Sequence, residues 1–363
     1  MVNRTLIKSI FISMITLSLT FFIISCSKEV SLKMEVGDRE TLHEEKRQSI
    51  PGPRTCFWSR GPASKDPYIN IAYPDAGVYY WNATFTVPEG ARLYLEGVFP
   101  HSRYMSLISY DGRGAPIESL ADYLIVPNEN SINPFVEGAN RTIKKRAYKV
   151  EIVNLSPQIR REEGTRLELQ TDVEGTGLQK EIRHRNSLNA TQYGQRQQSI
   201  IYRIYVPDKG KNESGGVPLP EPVLILKNKE ELIGDKACEI LHTSQPPQIS
   251  IDAVGLPMTV YSKLVNQPGK PATWPATVPP TWYLQYDRDF LLGIYNGQLP
   301  KSRRKSTGGF YPNLDNNYVR TIINRKHGKV FVMRGKLPKT PKTYHGDEFM
   351  TKGELVYWSI CSN

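Results

Sequence analysis

The chain has 363 residues, enough to bury a substantial core in one large or two smaller domains. A mean hydropathy of -0.45 excludes a polytopic membrane protein, and 20 tyrosines, 27 prolines and 27 glycines favour strands broken by turns over helices. The formal net charge of +11, to which Arg4 and Lys8 contribute, favours encounter with anionic partners and leaves the fold open.

Arg4 and Lys8 precede an apolar run, Ser9–Phe22, and Ile23-Ile24-Ser25-Cys26 then resembles the lipobox of bacterial lipoproteins. That resemblance implies that residues 1–25 are a signal peptide. The Cys26 thiol would take a diacylglycerol, and the amine freed by cleavage an acyl chain such as palmitate. Several chains together suffice for stable anchoring in a lipid bilayer. The alternative is an ordinary secretory signal or membrane anchor. Ser27 rather than aspartate after the cysteine implies the outer membrane if the source is Gram-negative, so the expected location is the bacterial cell envelope. Residues 26–54 are charged and lack apolar periodicity, which predicts a flexible tether to a body at 55–363.

Within the body, Tyr79–Val87 alternates with Trp81, Ala83, Phe85 and Val87 on one face, the pattern of a half-buried strand. Leu93–Asp111 (LYLEGVFPHSRYMSLISYD) reads as two strands folded back as a hairpin through a Pro100-His101 corner. Ile117–Val126 is expected to pair again, Asn133-Pro134-Phe135 to open an irregular loop, and Arg146–Leu155 to form another alternating strand. Glu162–Gln198 reads as a surface excursion, Ile200–Val206 as a strand and Pro218–Pro222 as a connector. Glu230–Thr243 and Val260–Asn266 have the length of short helices. Pro268–Pro280 is irregular, and Trp282–Tyr295 fits helix or strand.

Tyr73–Pro100 can be laid over Tyr311–Pro338 without a gap. Tyr73, Pro74, Tyr80, Gly90, Gly97 and Pro100 then fall on Tyr311, Pro312, Tyr318, Gly328, Gly335 and Pro338, and Leu93, Leu95 and Phe99 on Phe331, Met333 and Leu337. Tyr104-Met105-Ser106-Leu107 answers Tyr357-Trp358-Ser359-Ile360. An internal repeat follows, first copy about 73–111 and second about 311–362, with strands expected in both. The expected fold is mainly β, two related antiparallel sandwich or jelly-roll-like lobes with few short helices.

Cys56, Cys238 and Cys361 remain beside Cys26; outside the cytoplasm one disulfide is expected among three pairings, with Cys56–Cys361 preferred because chain ends often meet in a closed β-body. The alternative is three reduced thiols. No HExxH, CxxC, P-loop, dinucleotide fingerprint or GxSxG elbow occurs, and the six histidines lack zinc-ligand spacing, so no metal site and no cofactor is expected. The basic clusters Lys144-Lys145-Arg146, Arg183–Arg185 and Lys301–Lys305 read as solvated loops or contacts for anionic lipid head groups or glycans; nucleic acid is not an expected partner.

The densest polar stretch is the corner and second strand of the first copy. Tyr104, Ser106, Ile108 and Tyr110 would share one face, rich enough in hydroxyls to line a groove. His101 and Asp111 are the candidate acid/base pair; Arg103, Tyr104, Tyr110 and Arg334 are the candidate ligand contacts. The structural reading is that His101 caps a corner and the tyrosines edge a sandwich.

Arg60-Gly61-Pro62, Tyr73-Pro74-Asp75, Phe99-Pro100-His101 with Tyr104-Met105-Ser106, Asn133-Pro134-Phe135, Tyr202–Asp208, Leu219–Pro222 and Tyr357–Cys361 together resemble an uncharacterised family of exported bacterial proteins. The resemblance covers most of 56–363 and implies no activity. The YMSLISYD strand is similar to a jelly-roll domain of unknown function, which implies a β-sandwich. Three functions are open: a binding or interaction lipoprotein, an envelope hydrolase of glycan or ester bonds, or a structural envelope component.

Overall fold

The computed structural model of the chain describes residues 56–63, 75–155, 185–242, 258–284, 288–299 and 311–361, apart from 113, 192 and 195. All belong to the unit Pro53–Asn363. The expected signal peptide, Cys26, the tether and the Lys301–Lys305 cluster lie outside the described residues.

The fold is mainly β and sandwich-like. One antiparallel sheet holds β1 (Val78–Phe85), β7 (Gln198–Pro207), β3 (Ser102–Tyr110) and β4 (Pro116–Ala121), in that order. The other runs β6 (Ser187–Asn189), β5 (Ala147–Val153), β2 (Arg92–Val98), β8 (Glu221–Ile225), β9 (Glu231–Ile233), antiparallel except for the β5–β6 pair. Alternation sends Trp81, Phe85, Met105, Leu107 and Tyr202 inward from the first sheet, where they share one core with Leu93, Leu95, Tyr148, Val150 and Leu224 of the second. Each such buried apolar side chain contributes about 1.5–3 kcal/mol over leaving it exposed.

The Pro100-His101 corner is not the hairpin that the local pattern suggests. β2 pairs with β5 and β8, and β3 with β4 and β7. The corner therefore carries the chain across the core from one sheet to the other. Alternation specifies a strand with one buried face and does not name its hydrogen-bonded neighbours. Gly97 is a close-approach glycine: it faces Tyr148 across the β2–β5 pair, and a Cβ there would lie 2.5 Å from the phenol ring.

Two helices were foreseeable, α1 (Asp235–Leu241) and α2 (Met258–Val265). Trp282–Tyr295 resolves into both alternatives, β10 (Trp282–Leu284) and α3 (Arg288–Asn296). β10 pairs with β11 (Val319–Thr321) as a two-stranded ribbon. No helix of the described residues is long and apolar enough to cross a membrane.

Two sequence expectations are corrected. The disulfide joins Cys56 to Cys238, and Cys361 is free and exposed. Cys238 is set by α1, whose Ala237 and Leu241 are buried in the core beside Phe57, so the partner of Cys56 is selected by helix packing rather than by the chain end. The second correction concerns the later copy. Of its expected strands only β11 is present, and residues 330–361 contain none among those described. Residue correspondence with the first copy does not extend to conformation there.

Candidate functional site

Both faces of β3 are buried. Met105 and Leu107 enter the core; Tyr104, Ile108 and Tyr110 face outward together with Tyr80, Ile201 and Tyr205. This outer face is not an open groove, because a strap at 311–315 lies over it. Tyr110 donates to the Pro312 carbonyl at 2.8 Å, Tyr104 to Asp315 Oδ2 at 2.6 Å, and Ser119 to the same carboxylate oxygen at 3.0 Å. Burial and the adjacent Asp315 hold the Tyr104 hydroxyl well above its ordinary pKa, so it stays a donor. Under the strap Arg203 is 3% exposed. Its guanidinium stands 5.3 and 5.4 Å from the ring centres of Tyr80 and Tyr110, and Nη2 donates to the Tyr311 carbonyl at 2.8 Å. Tyr104 and Tyr110, candidate ligand contacts by sequence, are thus covered by the chain itself.

His101 and Asp111 bracket β3 at its opposite ends, roughly 30 Å apart at about 3.3 Å per strand residue. They do not form an acid/base pair. Asp111 belongs to a turn, its Oδ1 accepting from the Ala115 amide at 2.9 Å. His101 faces a cation: Arg146 Nη1 lies 2.9 Å from both ring nitrogens. A guanidinium only donates and a neutral imidazole has one acceptor nitrogen, so one of these two contacts is the hydrogen bond. Burial, then Arg146, Lys211 and Arg141, lower the His101 pKa to about 4.

Around this corner the sequence assembles a polar cluster that sequence inspection missed. Arg141 Nη2 donates to both carboxylate oxygens of Asp208 at 2.7 and 2.8 Å, and to the Ser102 carbonyl at 3.3 Å. Its Nη1 donates to the Asp347 carbonyl at 2.9 Å. Arg146, read as part of a solvated basic loop, is 3% exposed and donates to the carbonyls of Arg141 and Pro100. Burial first, then Arg141, lowers its pKa to about 10. Gly215, at φ +71, sits so close to the corner that a Cβ would lie 2.7 Å from Pro100 Cβ; its carbonyl accepts from the His101 amide at 3.0 Å. Arg103 reaches outward to Thr343 Oγ1 at 3.1 Å, while Arg334 is exposed in the later segment, away from any described hydrogen bond. The one available signal was the Tyr202–Asp208 block, which carries both Arg203 and Asp208.

Beside the cluster lies a half-open cleft of about 260 Å³. It is lined by the end of β7 and the turn after it, Val206 to Glu213, together with Gly77, Tyr79 and Tyr344. The Lys209 amide donates to the Tyr344 carbonyl at 2.8 Å, and the Asp208 amide to the His101 carbonyl at 2.9 Å, so the cleft is tied directly to the corner. Lys209 and Lys211 are exposed there, whereas the Asp208 carboxylate is already engaged by Arg141. Phenol rings with exposed ammonium groups suit a polar, anionic ligand. No group of three or more His, Cys, Asp or Glu converges to hold a metal among the described residues.

No family model and no curated protein matches the chain. Among solved structures, the crystal structure of an uncharacterised protein from Burkholderia cenocepacia is similar over 52% of this chain and 37% of that one, at 10% identity and a TM-score of 0.25. The match spans little more than a third of that protein's length and carries no argument here.

Proposed function

We propose that the protein is a lipid-anchored lipoprotein of the bacterial cell envelope whose β-sandwich is a binding module for an acidic saccharide, held in the cleft that Tyr79 and Tyr344 help to line. The observation that carries this reading is the cleft itself: two tyrosines and two exposed lysines beside the buried Arg141–Asp208 pair. Tyrosine rings supply flat apolar surface for a sugar ring and hydroxyls for its edge, and Lys209 and Lys211 supply charge for a uronate or sulfate. The Arg141–Asp208 pair fixes the turn that presents both lysines, which lowers the ordering cost of binding.

A hydrolytic role for His101 and Asp111 is not supported, since they stand at opposite ends of β3 and His101 faces a guanidinium. The test is isothermal titration with oligogalacturonate and with a neutral oligosaccharide of equal length. The acidic oligomer binds and the neutral one binds at least about tenfold more weakly, and Lys209→Ala with Lys211→Ala removes that difference. Equal binding of both oligomers, or none of either, contradicts the proposal.

A further inference from the structure

The later part of the chain presents a surface that the saccharide cleft does not use. In the β10–β11 ribbon, Trp282 stands opposite Thr321 and Leu284 opposite Val319, so the three apolar side chains share one face. Trp282 is 50%, Leu284 45% and Val319 57% exposed. The opposite face is occupied, with Tyr283 packed against Phe290 and Ile294. Beyond the ribbon, Val330, Phe331, Val332 and Met333 follow in succession, with Val330 and Val332 about 80% exposed. Phe331 and Met333 are about 45% exposed, so all four apolar side chains of this segment reach solvent. Between Lys329 and Pro338 no backbone hydrogen bond is made among the described residues.

The charge of the same stretch is one-sided. Between Asp315 and Asp347 the sequence holds eight lysines and arginines and no aspartate or glutamate. A soluble surface does not combine bare tryptophan, phenylalanine and valine with an unbroken positive charge without a partner that accepts both. An anionic bilayer does. Apolar side chains enter the boundary between head groups and acyl chains, tryptophan settles at that boundary, and lysine and arginine extend to the phosphates. At head-group depth water still reaches the unpaired peptide groups, whereas the hydrocarbon core would not satisfy them. A second copy of this chain is a poorer partner, because it would bring like charge against like charge.

We propose that the β10–β11 ribbon and the basic segment through Leu337 dock onto a membrane surface rich in anionic lipid. The proposal rests on the lipoprotein reading only in that acylated Cys26 would bring this surface to a bilayer. In that setting docking would add a second attachment to the anchor.

The test separates the two attachments. The mature chain carrying Cys26→Ser, which cannot be acylated, is sedimented with vesicles of phosphatidylcholine alone and with vesicles containing phosphatidylglycerol. It co-sediments with the anionic vesicles only, and binding falls as salt is raised, since exposed charges are screened beyond about 8 Å at physiological ionic strength. Phe331→Ser with Val332→Ser lowers the binding about tenfold or more. Those side chains are exposed, so the thermal midpoint stays unchanged and reports that the variant folds. Sedimentation with neither vesicle, equal sedimentation with both, or a salt-resistant dimer abolished by the same pair of substitutions overturns the proposal. Loss of metabolic acyl labelling at Cys26 in the unsubstituted protein would sink the anchor and leave this surface standing.

Discussion

Leu93 and Leu95 in β2 are wholly buried, with β5 and β8 hydrogen-bonded on either side; Phe331 and Met333, which follow the same alternation, are about 45% exposed and have no strand beside them among the described residues. The glycines diverge likewise. Gly97 makes room for the Tyr148 ring, while nothing lies within 4 Å of a Cβ placed at Gly335. Gly90 turns the chain at φ +77, while Gly328 is extended at φ 163. A strand pattern is permission rather than instruction: it becomes a strand where partners on both sides and an opposing sheet complete it. Without them the same pattern leaves apolar side chains available for something outside the chain.

The contrast can be attacked first at the bolt between the two regions. Arg141 carries the early corner, through Ser102, and the later loop, through Asp347, on one guanidinium. Arg141→Leu strands the Asp208 carboxylate in a buried site, and the expected loss is about 3–5 kcal/mol in urea unfolding. Asp208→Leu added to it recovers part of that loss. A single substitution costing under about 0.5 kcal/mol would mean that the corner does not depend on the pair.

A smaller effect compares the two glycines directly. Gly97→Ala must displace Tyr148 and costs about 1–3 kcal/mol, while Gly335→Ala lies within about 0.5 kcal/mol of the parent. Equal costs would erase the distinction between the regions.

The smallest effect is on pH. His101 follows the proline of the first copy, where the second has Lys339. Its folded pKa, near 4, lies below its unfolded value near 6.5, so the unfolded chain binds the proton first. Stability is therefore full above about pH 6.5 and declines as pH falls toward 4. Allowing for the half-exposure of the ring, the decline is roughly 1–2 kcal/mol. His101→Gln flattens that limb of the curve, measured as thermal midpoint against pH; an unchanged limb would place its origin elsewhere.

The strands were the legible part. Tyr79–Val87 and Arg146–Leu155 announce β1 and β5 by their alternation, and Ile200–Val206 announces β7 as a short β-branched and aromatic run closed by Pro207. The corner was legible as a corner but not as a crossing between sheets, since crossing depends on distant strands. The site was hidden for a different reason. Arg146 sits in a basic run beside exposed Lys144 and Lys145, and only its carbonyl partners, Arg141 nearby and Pro100 across the corner, distinguish it from them. Arg203 holds an outward position of β7 that alternation assigns to solvent; the strap at 311–315, more than 100 residues later, is what buries it. Tyr104 and Tyr110 were assigned to an open groove, because nothing local foretells that strap.

Amide hydrogen exchange across the two matching segments tests the central claim most directly, in solution and without lipid. The account predicts that Leu93–Gly97 exchanges only through global unfolding, slowed by many orders of magnitude, while Phe331–Gly335 exchanges near the rate of an unstructured peptide. Comparable slow exchange in both segments would show the later one paired as a strand, and would contradict the account.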